Sequence, residues 1–391
     1  MKIAVLAHRR FPISEPFAGG IERFTHSIVK GLAKKGCEVT LFAHADSDRD
    51  LNLSLEPIID TSFCKTASEE SHEAYLNIMD YLATEDFDLI HDNSLNYFPM
   101  VLEDRLNAPL VTTLHTPPFS TLHSAVRHRE RQQRGNYISI SDFNTRLWGL
   151  CDRIETIHNG VDLQKFGYNP FYHRNCAVWT GRILADKGTH LAIEAAQKAK
   201  IQLVIAGKIE DREYFESKVE PHLGRGVEYA GHLGQKELSA LIQSAAVTLC
   251  TPVWSEPFGL VVIESLACGT PVVAFDRGAM SEILDRQTGV VVPPNDTDAM
   301  AAGIKQAKRL SRYSCRKLVM ERFNLETMVD RYIQAFERII NQYQRKKICS
   351  LATTYTSTAT VMPKEQKRSP NTLVSPLPSS ALALVSTTGT E

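Results

Sequence analysis

Short apolar runs alternate with stretches of helical spacing from the first residue onward. KIAVLA (2–7) predicts a strand buried on both faces. Over 20–35, Ile21, Phe24, Ile28 and Leu32 fall on one helical stripe, and Gly36 supplies the stop expected just past a C-cap. EVTLFA (38–43), FDLIH (87–91), PLVTTLH (109–115) and YISIS (137–141) predict further strands, with helical or loop segments between them. Residues 51–70 have no clear period and read as a loop. A second series begins after HNGVDLQKFGYNP (158–170), whose Pro, Gly and Asn mark the best boundary. There, strands at 176–181, 202–207, 227–231, 247–250 and 271–275 alternate with helices over 188–199, 211–222, 235–245, about 259–268 and 297–310. Repeated β-α alternation predicts an α/β protein, with parallel sheets covered by helices on both faces.

Val329, Ile333, Phe336, Ile340 and Tyr343 form one stripe of a final amphipathic helix over 325–344. Past it the periodicity is lost. Residues 350–391 hold 16 Ser or Thr. Too little apolar surface remains to offset the entropy of ordering, so this tail is expected to be disordered.

At 391 residues and 43% hydrophobic, the chain is too long for one ordinary core and predicts two domains. A formal net charge of -1 supplies no global field for nucleic acid. None of the eight cysteines forms a C-x-x-C pair, and most sit in apolar runs, as free thiols in a reducing compartment do. No metal site is expected. The apolar run of MKIAVLAHRRF is too short for a signal segment, and no stretch reaches the ~20 apolar residues of a membrane span. These features predict a cytoplasmic protein and leave room for peripheral membrane contact.

Candidate chemistry concentrates in TPVWSEPFGLVVIESLACGTPVVAF (251–275). Glu256 sits in a polar loop, whereas Glu264 lies in an apolar stretch where a carboxylate is costly to bury without partners. Ligand hydroxyls suit both, and a ribose diol chelates a carboxylate well. The amides of Phe258, Gly259 and Leu260 fall at a helix start, which favours an anion. The alternative is a loop Glu and a Glu paired with a core Arg. Arg182 and Lys187 flank a strand end and a helix start, where two cations would neutralise a diphosphate. The alternative is two solvated loop cations. Gly19 and Gly20 permit close backbone approach to a phosphate or sugar, or make a flexible turn. His115 ends a strand before a Pro-rich loop, either facing a ligand or serving the structure. Arg127, Arg129, Arg131 and Arg134 form a solvated helix face or contact anionic lipid or acceptor phosphate. The glycine patterns of dehydrogenases and P-loop NTPases are absent.

Taken together, E-P-F-G-L-x-x-x-E (256–264), A-C-G-T-P-V-V-A (267–274), G-R-x-x-x-x-K-G (181–188), H-N-G-V-D (158–162) and Gly19-Gly20 resemble the retaining glycosyltransferases of family 4. GGIERFTHSIVKGLAKKGCEVTLFA and DREYFESKV resemble the subgroup around the avilamycin-pathway glycosyltransferase. The likeness covers about residues 1–345. It implies a GT-B fold, two Rossmann-like domains facing across a cleft, with the final helix crossing back to the first. The implied layout is an acceptor-side domain over 1–165, a donor domain over 166–325, a crossover helix over 326–345 and a tail over 346–391. The implied donor is a nucleoside-diphosphate sugar, with UDP-glucose favoured, and the acceptor is a carbohydrate, lipid or small molecule. Arg182 and Lys187 would hold the diphosphate, Glu264 the ribose diol and Glu256 the sugar hydroxyls. Phe258, Gly259 and Leu260 would contact sugar or phosphate, Gly20 would approach from the other domain, and His115 would sit beside the reacting sugar. Backbone around Lys208 and Tyr229 would line the base pocket. No cofactor is implied. A sugar-nucleotide epimerase and a non-catalytic nucleotide-sugar scaffold stand as alternatives.

Overall fold

A computed structural model describes residues 1–51, 53–54, 67–150 and 154–359. The first sheet holds β1 (Lys2–Ala7), β2 (Glu38–Phe42), β3 (Leu53–Ser54), β4 (Leu89–Asn93), β5 (Leu110–Leu114), β6 (Asn136–Ser139) and β7 (Ile154–Thr156). Its order is β3-β2-β1-β4-β5-β6-β7, all parallel. The second holds β8 (Arg174–Thr180), β9 (Gln202–Ala206), β10 (Val227–Tyr229), β11 (Ala245–Cys250), β12 (Val272–Phe275) and β13 (Gly289–Val292). Its order is β10-β9-β8-β11-β12-β13, again parallel. In both, the chain winds outward in one direction and then reverses, so a crevice opens at the strand ends, between β1 and β4 and between β8 and β11. These are the two Rossmann-like halves of a GT-B fold.

Between the first strands lie α1 (Gly20–Lys34), α2 (Ala67–Leu82), α3 (Phe98–Val101), α4 (Ser120–Arg131) and α5 (Asp142–Trp148). The second half adds α6 (Thr189–Ala199), α7 (Arg212–Lys218), α8 (Gln235–Ser244), α9 (Leu260–Ala267), α10 (Met280–Ile283), α11 (Thr297–Ala307) and α12 (Arg312–Arg322), before α13 (Leu325–Ala359). Helices cover both faces of each sheet, so β4 and β5 are buried along their whole length, polar residues included. The stop at Gly36 takes the form expected: Gly36 has a φ of 85°, and the amides of Gly36 and Cys37 donate back to Ala33 and Leu32. The helix predicted over 211–222 ends at Lys218, and Pro221 sits in a short 3-10 turn beyond it. The strands β3, β7 and β13 and the helices α10 and α12 were not predicted, β3 falling inside the stretch read as a loop.

Helix α13 follows the second sheet in sequence, yet Met328, Val329, Tyr332, Ala335 and Phe336 pack into one core with Ile3, Val5, Phe24 and Ile28. This is the crossover. Its buried face includes Met328, Tyr332 and Ala335, which the predicted stripe omitted, while Ile333 and Ile340 are only partly covered. Tyr332 enters the core because its hydroxyl finds Thr113 Oγ1 at 3.4 Å. Gly31 lets α1 and α13 meet, since a Cβ there would sit 2.4 Å from Val329 Cγ2. The first compact unit ends at Gln344, and a separate one begins at Arg345. Residues 350–359 continue the helix where the sequence predicts disorder, because a helix already nucleated by packing propagates at one hydrogen bond per residue. The remainder of the expected disordered tail, 360–391, lies outside the described residues, as do 52, 55–66 and most of the loop predicted over 51–70.

Cys176, Cys250, Cys268 and Cys315 are buried free thiols, Cys37 is half-buried and Cys349 is exposed. Cys64 and Cys151 lie outside the described residues. Among the described residues, no helix is long and apolar enough to cross a membrane.

Candidate functional site

The strand ends of the two halves face one another across a cavity of about 230 Å³. Gly19, Gly20, His115, Arg182, Lys187, Lys208, Glu256, Phe258, Gly259, Leu260 and Glu264 all line it. Tyr229 is not among the lining residues. Its hydroxyl donates to the Gly207 carbonyl at 2.8 Å, and its ring packs on Phe215, so it buttresses the wall that Gly207 and Lys208 form.

Each position follows from the local chain. Arg182 leaves the end of β8, and its Nη1 lies 2.9 Å from Glu210 Oε2. Glu210 also holds Arg10 of the first half, Oε1 to Nη2, at 3.1 Å. Lys187 ends a short 3-10 turn before α6, and its Nζ is 2.5 Å from Glu256 Oε2 and 4.8 Å from the centre of the Trp254 ring. The same carboxylate oxygen accepts from Trp254 Nε1 at 3.0 Å. Glu256 is carried on a loop that Gly278 secures from behind. Gly278 has a φ of 72°, and a Cβ on it would fall 1.9 Å from the Glu256 carbonyl oxygen. Lys208 lies over Phe11, 4.1 Å from the ring centre.

Gly259 caps α9 in the left-handed region, φ 96°, with no side chain on the first-turn amides. The Val262 amide turns back to the Gly259 carbonyl at 2.9 Å; the N–H groups ahead of it are those a helix leaves without an intrahelical acceptor, and with the helix dipole they favour an anion. The cleft thus brings Arg182, Lys187, Lys208 and the start of α9 together, while Glu256 and Glu264 supply acceptors for hydroxyls.

His115 is buried, and its Nε2 lies 2.8 Å from Asn93 Oδ1. Burial, together with the charge of His8, holds its pKa down at about 3, so the ring is neutral at ordinary pH. Beneath it, His91 Nε2 is 2.8 Å from Thr113 Oγ1. Burial and the neighbouring His115 likewise hold His91 at about 3. Asp92 accepts from the Ser94 amide at 2.9 Å and the Thr112 hydroxyl at 3.0 Å, and burial raises it to about 6.

Glu264 is paired with Arg23 of α1, an arginine as the structural alternative required, but one that lines the cleft rather than sitting in the core. Only Oε1 is engaged; Glu264 Oε2 is buried without a hydrogen-bond partner. The same holds for Arg23 Nε, Thr116 Oγ1, Asn159 Oδ1 and Thr180 Oγ1, all on residues that line the cleft. A buried polar atom without a partner costs ~1–3 kcal/mol, so their gathering at one cavity points to a polar ligand.

Sequence reading missed Arg23, Glu210, Trp254 and Gly278. Arg23 lies three residues after Gly20, and helical spacing alone would have aimed it along the same face. The remainder come together only through the fold. The four arginines do not form one solvated helix face: Arg129 is buried and pairs with Glu103 and Asp104, Arg127 pairs with Glu130, and Arg134, past the end of α4, pairs with Asp104.

The two halves also meet where α10 faces the start of α5. Glu282 accepts from the amides of Asp142 and Phe143 at the start of α5, both at 2.9 Å, and lies 2.6 Å from His158 Nε2. Burial opposes ionisation of Glu282, yet the bonds from His158 and the two amides hold its pKa below the usual value. Asp142, His158 and Glu282 place ligand-type atoms within 4.8 Å of one another, but Glu282 is already occupied by these donors.

Residues 18–165 match the family described as Glycosyltransferase Family 4, and residues 162–319 match Glycosyl transferases group 1. Glycogen synthase of Mycobacterium tuberculosis is 30% identical over 219 residues, 51% of this chain and 52% of that enzyme. The chain therefore spans about half the length of the glycogen synthase it matches. The crystal structure of AviGT4, a glycosyltransferase involved in avilamycin A biosynthesis, superposes with a TM-score of 0.68 at 22% identity, covering 87% of this chain and 98% of that one. HepE from Anabaena, solved in complex with UDP-glucose, gives a TM-score of 0.69 at 18% identity, covering 86% and 100%. Two consecutive glycosyltransferase domains, set on a GT-B frame, thus account for residues 18–319.

Proposed function

We propose that the protein moves a hexosyl group from a nucleoside-diphosphate sugar, UDP-glucose in preference, to an acceptor hydroxyl with retention at the anomeric carbon. The observation that carries this reading is the pairing of a cationic wall with two carboxylates in one cleft: Arg182, Lys187 and the start of α9 against Glu256 and Glu264. HepE, similar in fold, was solved with UDP-glucose, which supports that donor class.

In this reading Arg182, Lys187 and the α9 amides hold the diphosphate, Glu264 takes the ribose diol and Glu256 the sugar hydroxyls. The bond from the anomeric carbon to the phosphate oxygen breaks, and its electron pair stays on the diphosphate. Charge growing there is met by cations already fixed in place, the largest usual source of catalysis. The acceptor oxygen bonds to the anomeric carbon on the face the phosphate leaves, and its proton passes to the leaving phosphate oxygen. His115, neutral and hydrogen-bonded to Asn93, positions the sugar without trading a proton. The acceptor enters from the first half and is a carbohydrate, a lipid or a small molecule. We assign the protein to the cytoplasm.

Thermal stability with UDP, GDP and ADP, in wild type and Glu264→Ala, tests this. A nucleotide at ~100 times its Kd should stabilise the fold by about 2.7 kcal/mol. One nucleotide should raise the Tm, and the substitution should weaken that rise. No shift with any of the three would remove the donor-site assignment.

A further inference from the structure

The starts of α1 and α9 touch across the cleft at two points. A Cβ on Gly20 would sit 3.1 Å from Leu260 Cδ1, and one turn further along both helices Arg23 meets Glu264. The spacings, three residues on α1 and four on α9, keep each pair on one helix face. Arg23, Leu260 and Glu264 also line a second cavity of about 260 Å³ behind the first, so the ion pair is part of the partition between them.

The pair is deeply set: the Glu264 side chain is 1% exposed and that of Arg23 19%. A carboxylate so buried needs a cation or donors to stay ionised. Its partner comes from the opposite half of the molecule. Arg23 Nη1 reaches Oε1 and leaves Oε2 unpartnered, while Phe17 lies beneath the guanidinium, 5.9 Å from ring centre to Cζ. A guanidinium on one oxygen fixes the carboxylate plane and leaves the other oxygen to accept.

We infer that Arg23 is the positioning residue that makes Glu264 selective for a ribose diol, and that it couples this selectivity to docking of the first half. The inference rests on the donor-site reading above. Arg23 touches Glu264 and acts through it. With the halves apart, Glu264 loses its cation, and the diol loses a charged, oriented acceptor. Diphosphate recognition by Arg182 and Lys187 does not depend on Arg23.

The test compares binding of UDP, GDP and ADP with that of their 2′-deoxy counterparts, by calorimetry on the full chain. Wild type is expected to prefer the ribonucleotide at least about ten-fold, the scale of one hydrogen bond to a buried charge. Arg23→Gln should cut that preference to about three-fold or less while the deoxynucleotide binds as before. Glu264→Gln should do the same, and the double variant should add nothing further. Arg23→Lys, which keeps the charge without the fork, should give an intermediate preference. If Arg23→Gln does not fold, the lysine variant carries the test alone. An unchanged preference in either Arg23 variant overturns the inference. A wild type that binds a nucleoside diphosphate with no preference for ribose overturns it too, leaving the donor cleft standing. A wild type that binds none of the three overturns the donor-site reading and this inference with it.

Discussion

Lys187 Nζ and Glu256 Oε2 are 2.5 Å apart, joining the 3-10 turn before α6 to the loop before α9. The pair fixes both groups at one wall of the cleft. Lys187→Ala is expected to lower kcat by ~10²–10³-fold, the usual effect of removing one preorganised donor from developing charge. Steady-state transfer from labelled donor reads this. A loss confined to KM would mean that Lys187 serves ground-state binding alone.

Gly278 supports Glu256 through backbone rather than side chain. With a φ of 72° and the Glu256 carbonyl where a Cβ would stand, Gly278→Ala must shift that loop. The expected cost is about 1–3 kcal/mol, together with a fall in kcat. Chemical denaturation and transfer assays check the two effects. A variant that keeps wild-type stability would show that the loop can relax freely.

The crossover is equally exposed to a single methyl group. Gly31→Ala should cost about 1–3 kcal/mol through overpacking against Val329. Val329→Ala in the same chain should restore part of that loss, giving a non-additive cycle. Additive effects in urea titrations would mean that α1 and α13 separate at this point without cost.

Acid should destabilise the first half. His26, His91 and His115 are held by burial at about 4, 3 and 3, below the ordinary histidine value of 6.5. As pH falls below 6.5, the unfolded chain takes up protons that the folded chain refuses until pH 4–3. Stability present above 6.5 is therefore lost through that window, by at most about 1.4 kcal/mol per histidine per pH unit. Asp92, raised by burial to about 6, works the other way: its folded form takes a proton first, which adds stability as pH falls from 6 to 3.8. Three groups outweigh one, so urea midpoints should drop between pH 6.5 and 4.5. Flat midpoints would contradict the buried, neutral state of these rings.

Most of the cleft was legible because its residues sit at strand ends and helix starts, which short-range periodicity locates. Glu256 and Glu264 stood out as a loop carboxylate and a carboxylate within an apolar run; Arg182 and Lys187 flanked a strand and a helix. Tyr229 itself does not line the cavity, its hydroxyl turning toward Gly207, whereas His232 and Leu233 just beyond it do. The short elements β3, β7, β13 and α10, and the helix α12, left no pattern that the sequence reading found. The reach of α13 was underestimated because helix ends depend on propagation from a packed nucleus, not on local composition.

The sequence by itself determined the alternation of strands and helices, the two-part chain and the residue types at the cleft, since each is encoded within a few neighbouring positions. The tertiary structure decided the partners. Arg23 and Glu264 lie 241 residues apart, Arg10 and Glu210 lie 200, and Lys34 and Glu326 lie 292. Pairs so distant carry no periodic signal. They meet only because two sheets reverse direction at facing crevices and a final helix returns to the first core, bringing groups together that no local rule connects.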